Sequence, residues 1–241
     1  KADVLKDMLT KEFANVPLRW GLTGTIPKAE HEQMTLQVSL GNVVNRLAAS
    51  ELQDMGVLSN CHVNIVQMKE ITDYTNYQSE LTFLTTNAHR ISYMGDLIKT
   101  ISQSGNTLVL VDRIKAGEML VEHIGGDTTF VKGAMKSTDR KEAYDEINEA
   151  TNSITIATYG VAAVGLNIPR IFNMVLIEPG KSFVRVIQSI GRGVRRADDK
   201  DFVEIYDFTS TAKFSKRHLT ERKKFYKEAN YPFSIEKVDY K

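Results

Sequence analysis

Thr107-Leu108-Val109-Leu110-Val111-Asp112 (TLVLVD) decides the fold class, because its apolar residues run consecutively instead of alternating with polar ones. A strand read that way is covered on both faces, as in a parallel sheet flanked by helices. Comparable runs occur at Thr128 to Val131, Ile154 to Thr158 (ITIAT), Met174 to Glu178 (MVLIE) and Phe202 to Phe208 (FVEIYDF). Helical patterns fall between them near 113–124, 139–149 and 182–195, the second opening with Asp139 and Glu142 in capping-box spacing. Strands alternating with helices predict an α/β fold, a doubly wound and mostly parallel sheet with helices on both faces. Val63 to Met68 is expected to add a strand at one edge, and 71–106 reads as mostly helical. Sheets of this kind bind ligands outside the carboxyl ends of their strands, so the loops to inspect are 112–115, 131–137, 158–168 and 178–182.

Toward the N-terminus the pattern changes. Val4, Leu5, Met8, Leu9 and Phe13 form the apolar stripe of a short helix, and Pro17 leads into a predicted strand, Arg19 to Thr25, that ends in small residues. The first residues, Lys1-Ala2-Asp3-Val4, show neither an initiator methionine nor a leader, which reads as a start inside a longer chain. Residues 31–62 read as a helical connector.

The 241 residues suffice for one or two domains, and 42% hydrophobic with 25% charged residues is ordinary for a soluble globular chain. No apolar run approaches the roughly 18 residues of a membrane span. Cys61 is the lone cysteine, which rules out an internal disulfide and fits an intracellular protein. His31, His62, His89, His123 and His218 are scattered without metal-ligand spacing, so no metal site is expected. The net charge of +1 is uneven: residues 181–227 hold 13 Lys or Arg against 6 Asp or Glu, a local balance of +7 that leaves −6 elsewhere. Such asymmetry points to an anionic partner for one face.

Gln188-Ser189-Ile190-Gly191-Arg192-Gly193-Val194-Arg195-Arg196 carries the chemistry. At helical spacing Phe183, Ile187, Ile190 and Val194 form a core stripe, while Gln188, Gly191, Arg192 and Arg195 share the other face. Each glycine inside a helix costs about 1 kcal/mol relative to alanine, so Gly191 and Gly193 call for close approach of a ligand or another backbone. Two guanidinium forks one turn apart match the oxygens of a polyphosphate. The plainer alternative is a set of surface charges favoured by the dipole at a helix C-terminus.

Taken in order, Leu22-Thr23-Gly24-Thr25, the TLVLVD strand with Arg113, ITIAT followed by Gly165-Leu166-Asn167-Ile168-Pro169, and the Gln188 to Arg195 segment resemble motifs III, IV, V and VI of superfamily 2 helicases. LVLVDRIKAGEML, TYGVAAVGLNIP and QSIGRGVRR are similar in wording to a DNA-helicase type of T-even bacteriophages. The resemblance covers nearly the whole chain. It implies that 1–30 is a remnant of a first RecA-like motor domain and 63–241 a second such domain with a basic C-terminal helix. Carried over by position, it implies that Arg192 and Arg195 contact the γ-phosphate of ATP, that Gln188 helps fix them, and that Gly165, Asn167 and Gly191 lie at the nucleotide. Asn167 stands where an aspartate is usual in the family. Thr23, Gly24 and Thr25 would couple nucleotide state to domain movement, and Thr158, Arg113 and Lys136 would hold a nucleic-acid backbone. ATP with Mg2+ is the implied cofactor pair, the metal's ligands being expected on the absent first motor domain. The implied partners are branched DNA and that domain, with no membrane.

Alternatives remain for several of these residues. The Thr158 hydroxyl could instead cap the helix that follows, Arg113 could be a solvated helix-start residue, and Gly133 to Lys136 is a second candidate phosphate turn. Trp20 reads as a packing residue in preference to a base-stacking one. Lys213 to Lys227 interleaves Phe214, Phe225 and Tyr226 with Lys216, Arg217, Arg222, Lys223 and Lys224, and reads either as a nucleic-acid surface or as a helix docked by its aromatics with its charges solvated. Gly180-Lys181-Ser182 imitates a P-loop but has Val175 where the first glycine belongs. A nucleic-acid-binding module without motor activity and an RNA helicase are the competing functions.

Overall fold

The computed structural model describes residues 2–23, 26–27, 29–133, 142, 145–165, 168, 170–180 and 197–241. The chain divides into two compact units, Lys1–Leu47 and Ala48–Lys241.

In the first unit, α1 (Ala2–Asp7) continues as a π-helical turn, Met8–Glu12, and α2 spans Glu30–Leu40. Arg19 ties the irregular stretch between them back to the π turn by donating from Nη1 to the Leu9 carbonyl at 2.9 Å. The strand expected over Arg19 to Thr25 is not formed at residues 19–23, and Gly24 and Thr25 lie outside the described residues. Among the described residues of this unit the segment has no ladder partner, and a strand exists only by pairing. Of the predicted connector, Glu30–Leu40 and Ala49–Asp54 (α3) are helical, while 41–47 are not.

The second unit is a seven-stranded sheet. Its strands are β1 (Asn60–Met68), β2 (Thr107–Val111), β3 (Thr129–Val131), β4 (Ile154–Thr158), β5 (Asn173–Ile177), β6 (Phe202–Ser210) and β7 (Phe233–Val238). They run in the order β3-β4-β2-β5-β6-β1-β7, and every pairing is parallel. The helices are α4 (Tyr77–Thr86), α5 (Ala88–Ser102), α6 (Ile114–Ile124), α7 (Tyr159–Gly165) and α8 (Lys213–Glu228), and residues 145–149 are also helical. Asp139 and the 182–195 helix lie outside the described residues.

Alternate side chains of each central strand enter different cores. Leu108, Leu110, Met174, Leu176, Val203 and Ile205 pack with Val161 and Ala162 of α7 and Leu219 and Tyr226 of α8. Val109, Val111, Val175, Ile177 and Phe208 pack with Ile91, Met94 and Ile98 of α5 and Ala116 and Leu120 of α6. All five residues of β2, and all five of β5, are buried, which accounts for the apolar runs that follow Thr107 and Asn173. Gly117 lets α6 lie directly on Phe130 of β3, since a Cβ there would overlap the ring.

One expectation about the sheet needs correction. β1 is not at an edge: it pairs with β6 from Asn60↔Phe202 to Met68↔Ser210 and with β7 from Val63↔Phe233 to Met68↔Val238. The edge belongs to β7, whose four central residues are exposed and whose spelling, FSIEKV, carries too little apolar signal to stand out.

Candidate nucleotide and nucleic-acid site

Because all strands are parallel, their carboxyl ends share one rim, and the loops named from the sequence leave from it. β2 and β4 are neighbours with Val111 opposite Thr158, so Thr158 and the Asp112-Arg113 turn emerge side by side. β5 lies on the other side of β2 and leads through Glu178-Pro179-Gly180 to residue 181. Motif candidates IV and V therefore leave from adjacent strands, and the chain that precedes motif candidate VI leaves from the next one, motif VI itself lying outside the described residues.

Arg113 is the N-cap residue of α6, with φ −121° and ψ 140°. Its guanidinium donates from Nη1 to Thr82 Oγ1 and from Nη2 to Gln78 Oε1, both at 2.7 Å, which ties the start of α6 to α4. That intramolecular use was not foreseen from the sequence. Thr158 is half-buried at the last position of β4, directly ahead of α7, and Gly165 closes α7. Tyr159, 2% exposed, donates its hydroxyl to the Ile177 carbonyl at 3.3 Å and so links β4 to β5. At the end of β3, Lys132 pairs with Glu118 at 2.6 Å, and Gly133 forms a turn. Thr23 is exposed in the first unit. Gln188, Gly191, Arg192, Arg195, Asn167, Lys136, Gly24 and Thr25 lie outside the described residues. Among the described residues, no group of three or more His, Cys, Asp or Glu side chains could hold a metal ion.

Two expectations about aromatic and basic residues change. Trp20 is 78% exposed, so it is not a packing residue in this unit. In α8, Phe225 and Tyr226 are buried as the docked-helix reading requires, and Lys216, Arg217 and Lys224 are exposed, but Arg222 is fully buried. Arg222 belongs to the inward stripe Ser215, Leu219, Arg222, Phe225 and Tyr226, so it is neither solvated nor open to nucleic acid.

Behind the rim lies a buried polar network that sequence reading missed. Arg222 donates to both oxygens of Asp207, from Nε at 2.8 Å and from Nη2 at 2.9 Å, and sends Nη1 to the Gly180 carbonyl at 2.8 Å. Tyr226 Oη adds a bond to Asp207 at 2.7 Å. Burial is the largest influence on the Arg222 cation and works against it, but Asp207, Tyr226 and Glu178 together outweigh it and hold the guanidinium above the ordinary arginine range. Arg90 of α5 donates to Glu70 at 2.9 Å, to Glu178 at 3.1 Å and, through Nε, to the Leu84 carbonyl at 2.9 Å. Ser215 Oγ completes Glu178 at 2.7 Å, while Glu80 accepts the Phe214 and Ser215 amides at the start of α8. Burial pushes the Glu178 carboxyl up to about 7, against the opposing pull of Arg90, Ser215 and Arg222.

The backbone here is unusual. Glu178 has φ +41° and Gly180 φ +71°, two left-handed positions around Pro179. A residue with a Cβ loses about 1–2 kcal/mol in that region, which the bonds to Arg90 and Ser215 offset for Glu178. At Gly180 an added Cβ would also sit 3.3 Å from Tyr77 Oη.

Residues 89–197 match the family described as the helicase conserved C-terminal domain. The chain is 22% identical over 221 residues to the ATP-dependent DNA helicase uvsW of Enterobacteria phage T4, covering 88% of this chain and 44% of that protein. The crystal structure of T4 UvsW superimposes with a TM-score of 0.66 at 18% identity, over 89% of this chain and 46% of that one. S. cerevisiae Dbp5 bound to RNA and ADP BeF3 gives a TM-score of 0.61 at 15% identity, over 90% of this chain and 50% of the other. The chain thus spans about half the length of these relatives.

Proposed function

We propose that this chain, which carries the C-terminal RecA-like domain of a superfamily 2 helicase, is the second motor half of an ATP-dependent DNA helicase or translocase that acts on branched DNA in recombination, repair and replication. The observation that carries the proposal is that Thr158, the Asp112-Arg113 turn and the Glu178 to Gly180 segment ahead of motif VI all leave from the carboxyl ends of the adjacent strands β4, β2 and β5. Ligands of doubly wound sheets bind at that rim.

In this reading ATP lies between the rim and a first motor domain that supplies the P-loop and the carboxylates for Mg2+. Arg192 and Arg195 neutralise charge on the transferring phosphoryl group, and Gln188 orients them. Such arginines contribute about 10³ to 10⁵ in turnover in other NTPases. Gly165, Gly191 and Asn167 border the nucleotide, the amide of Asn167 keeping an acceptor without the charge of an aspartate. Thr158 and Lys136 bind phosphates of the tracked strand. Arg113 does so only with donors left over from Thr82 and Gln78, so its contribution is the smallest of the three. Thr23, Gly24 and Thr25 link nucleotide state to domain movement. Residues 1–30 belong to the first motor domain, 31–62 connect, and 63–241 form the second.

The test is made in the full-length protein that contains this chain. Arg195→Ala is expected to nearly abolish DNA-stimulated ATP turnover while DNA affinity stays close to wild type, and turnover at the wild-type rate would refute the assignment. The isolated 241-residue chain is expected to hydrolyse no ATP, since no part of its sequence spells a P-loop. Stronger stimulation by single-stranded RNA than by DNA would favour an RNA helicase. Binding of nucleic acid with no stimulated turnover would favour a module without motor activity.

A further inference from the structure

Glu178-Pro179-Gly180 is the strap by which the chain leaves β5, and buried side chains hold it at both ends. Arg90 and Ser215 grip the Glu178 carboxyl group at 3.1 and 2.7 Å. Arg222 grips the Gly180 carbonyl at 2.8 Å. The bond to Gly180 is not needed to neutralise charge, because Asp207 already takes two of the Arg222 donors at 2.8 and 2.9 Å. The third donor crosses 42 residues of sequence to one main-chain oxygen. Only a planar guanidinium can chelate a carboxylate and reach a carbonyl in another direction. The oxygen it reaches belongs to the residue that immediately precedes 181–196, the sequence segment that contains Gln188, Arg192 and Arg195.

We propose that Arg222, seconded by Arg90 through Glu178, is a positioning residue that fixes how the arginine-bearing segment leaves the sheet. The proposal rests on the assignment of Arg192 and Arg195 to phosphoryl transfer. Arg222 touches no substrate and acts through the Gly180 carbonyl. The effect reaches the reaction because a misplacement of about 1 Å at reacting groups costs about 10²-fold in rate.

Two variants of the full-length protein test it, Arg222→Lys and Gly180→Ala. Lysine keeps a cation against Asp207 but cannot hold the carboxylate and the carbonyl together. Alanine leaves both arginines in place and strains the strap at φ +71°. DNA-stimulated turnover, KM for ATP, DNA affinity and Tm are measured well below the melting transition. Both variants are expected to lose about 10-fold or more in kcat, with KM and DNA affinity changed less than about 3-fold. A structural defect alone would lower Tm and leave kcat intact at that temperature. Wild-type kcat in either folded variant overturns the proposal, and so does a loss expressed in KM alone. If Arg222→Lys melts below the assay temperature, Gly180→Ala decides. Failure of the underlying assignment is seen separately, as wild-type turnover in Arg195→Ala or none in the parent protein, and it removes both readings.

Discussion

The two units of this chain treat the same kinds of side chain in opposite ways. In residues 48–241, Val63, Val109, Leu110, Met174, Val203 and Ile205 are fully buried. In residues 1–47, Leu22 is 94% exposed, Val44 98% and Trp20 78%, and Ser39 is the buried residue of α2. The difference is one of layers. A sheet with helices on both faces gives alternate side chains covered places, whereas the described residues of the first unit form helices and irregular chain but no strand. Apolar spelling predicts burial only where a second layer exists.

The contrast can be broken most forcefully from inside the larger unit. Asp207→Ala would leave the Arg222 cation buried without its counter-charge, a defect that costs about 3–5 kcal/mol. Urea unfolding should show the midpoint fall accordingly, and a change below about 1 kcal/mol would mean that the pair does not hold α8 to β6. Leu110→Ala empties a site at the centre of the sheet, with an expected loss of roughly 3 kcal/mol in the same experiment.

A subtler probe is pH. Glu178 faces Arg90 from α5, Arg222 and Ser215 from α8 and Asp207 from β6, and burial raises its carboxyl from 4.5 to about 7. The folded state then holds a proton that the unfolded chain has released. The stability due to Glu178 is therefore complete below pH 4.5 and is lost as pH rises through about 7. Glu178→Gln should flatten that part of the stability profile, and an unchanged slope between those limits would show that Glu178 does not set it. At the small end, Leu22→Ser in the first unit should leave the main unfolding midpoint within about 0.5 kcal/mol, because its side chain is already in water. A larger loss would mean that the residue is covered in solution.

What could be read from the sequence follows the same division. β2, β4 and β5 stood out because burial on both faces favours consecutive apolar residues, with few polar ones such as Thr107, Thr155 and Asn173 among them. β1 was recognisable as a strand, but its neighbours were not, since pairing with β6 and β7 joins residues some 140 and 170 positions apart, as the side-chain bonds Asn64–Glu204 and His62–Ser234 record. β7 was lost because an edge strand spells itself half in polar letters, although Phe233 and Ile235 keep a period of two. At the site, motif spelling carried Thr158 and Arg113 to the rim, yet it gave no sign that Arg113 would bond to α4. The buried arginines escaped because a guanidinium in a helix reads as surface. Position gave the contrary signal: Arg222 falls in line with Leu219 and Tyr226, and Arg90 with Met94, Leu97 and Ile101.

The place of β1 has a consequence for biosynthesis. The first strand of the sheet to leave the ribosome sits between the last two, so neither of its backbone edges can be satisfied until residues 202–210 and then 233–238 have been made. Until residues 202–210 are made β1 has both edges open, and until 233–238 follow it keeps one, a state in which nascent chains bind chaperones or one another. Closing of the sheet is thereby tied to the end of translation of this unit, and a ribosome that stalls before residue 233 leaves β1 with an edge still open.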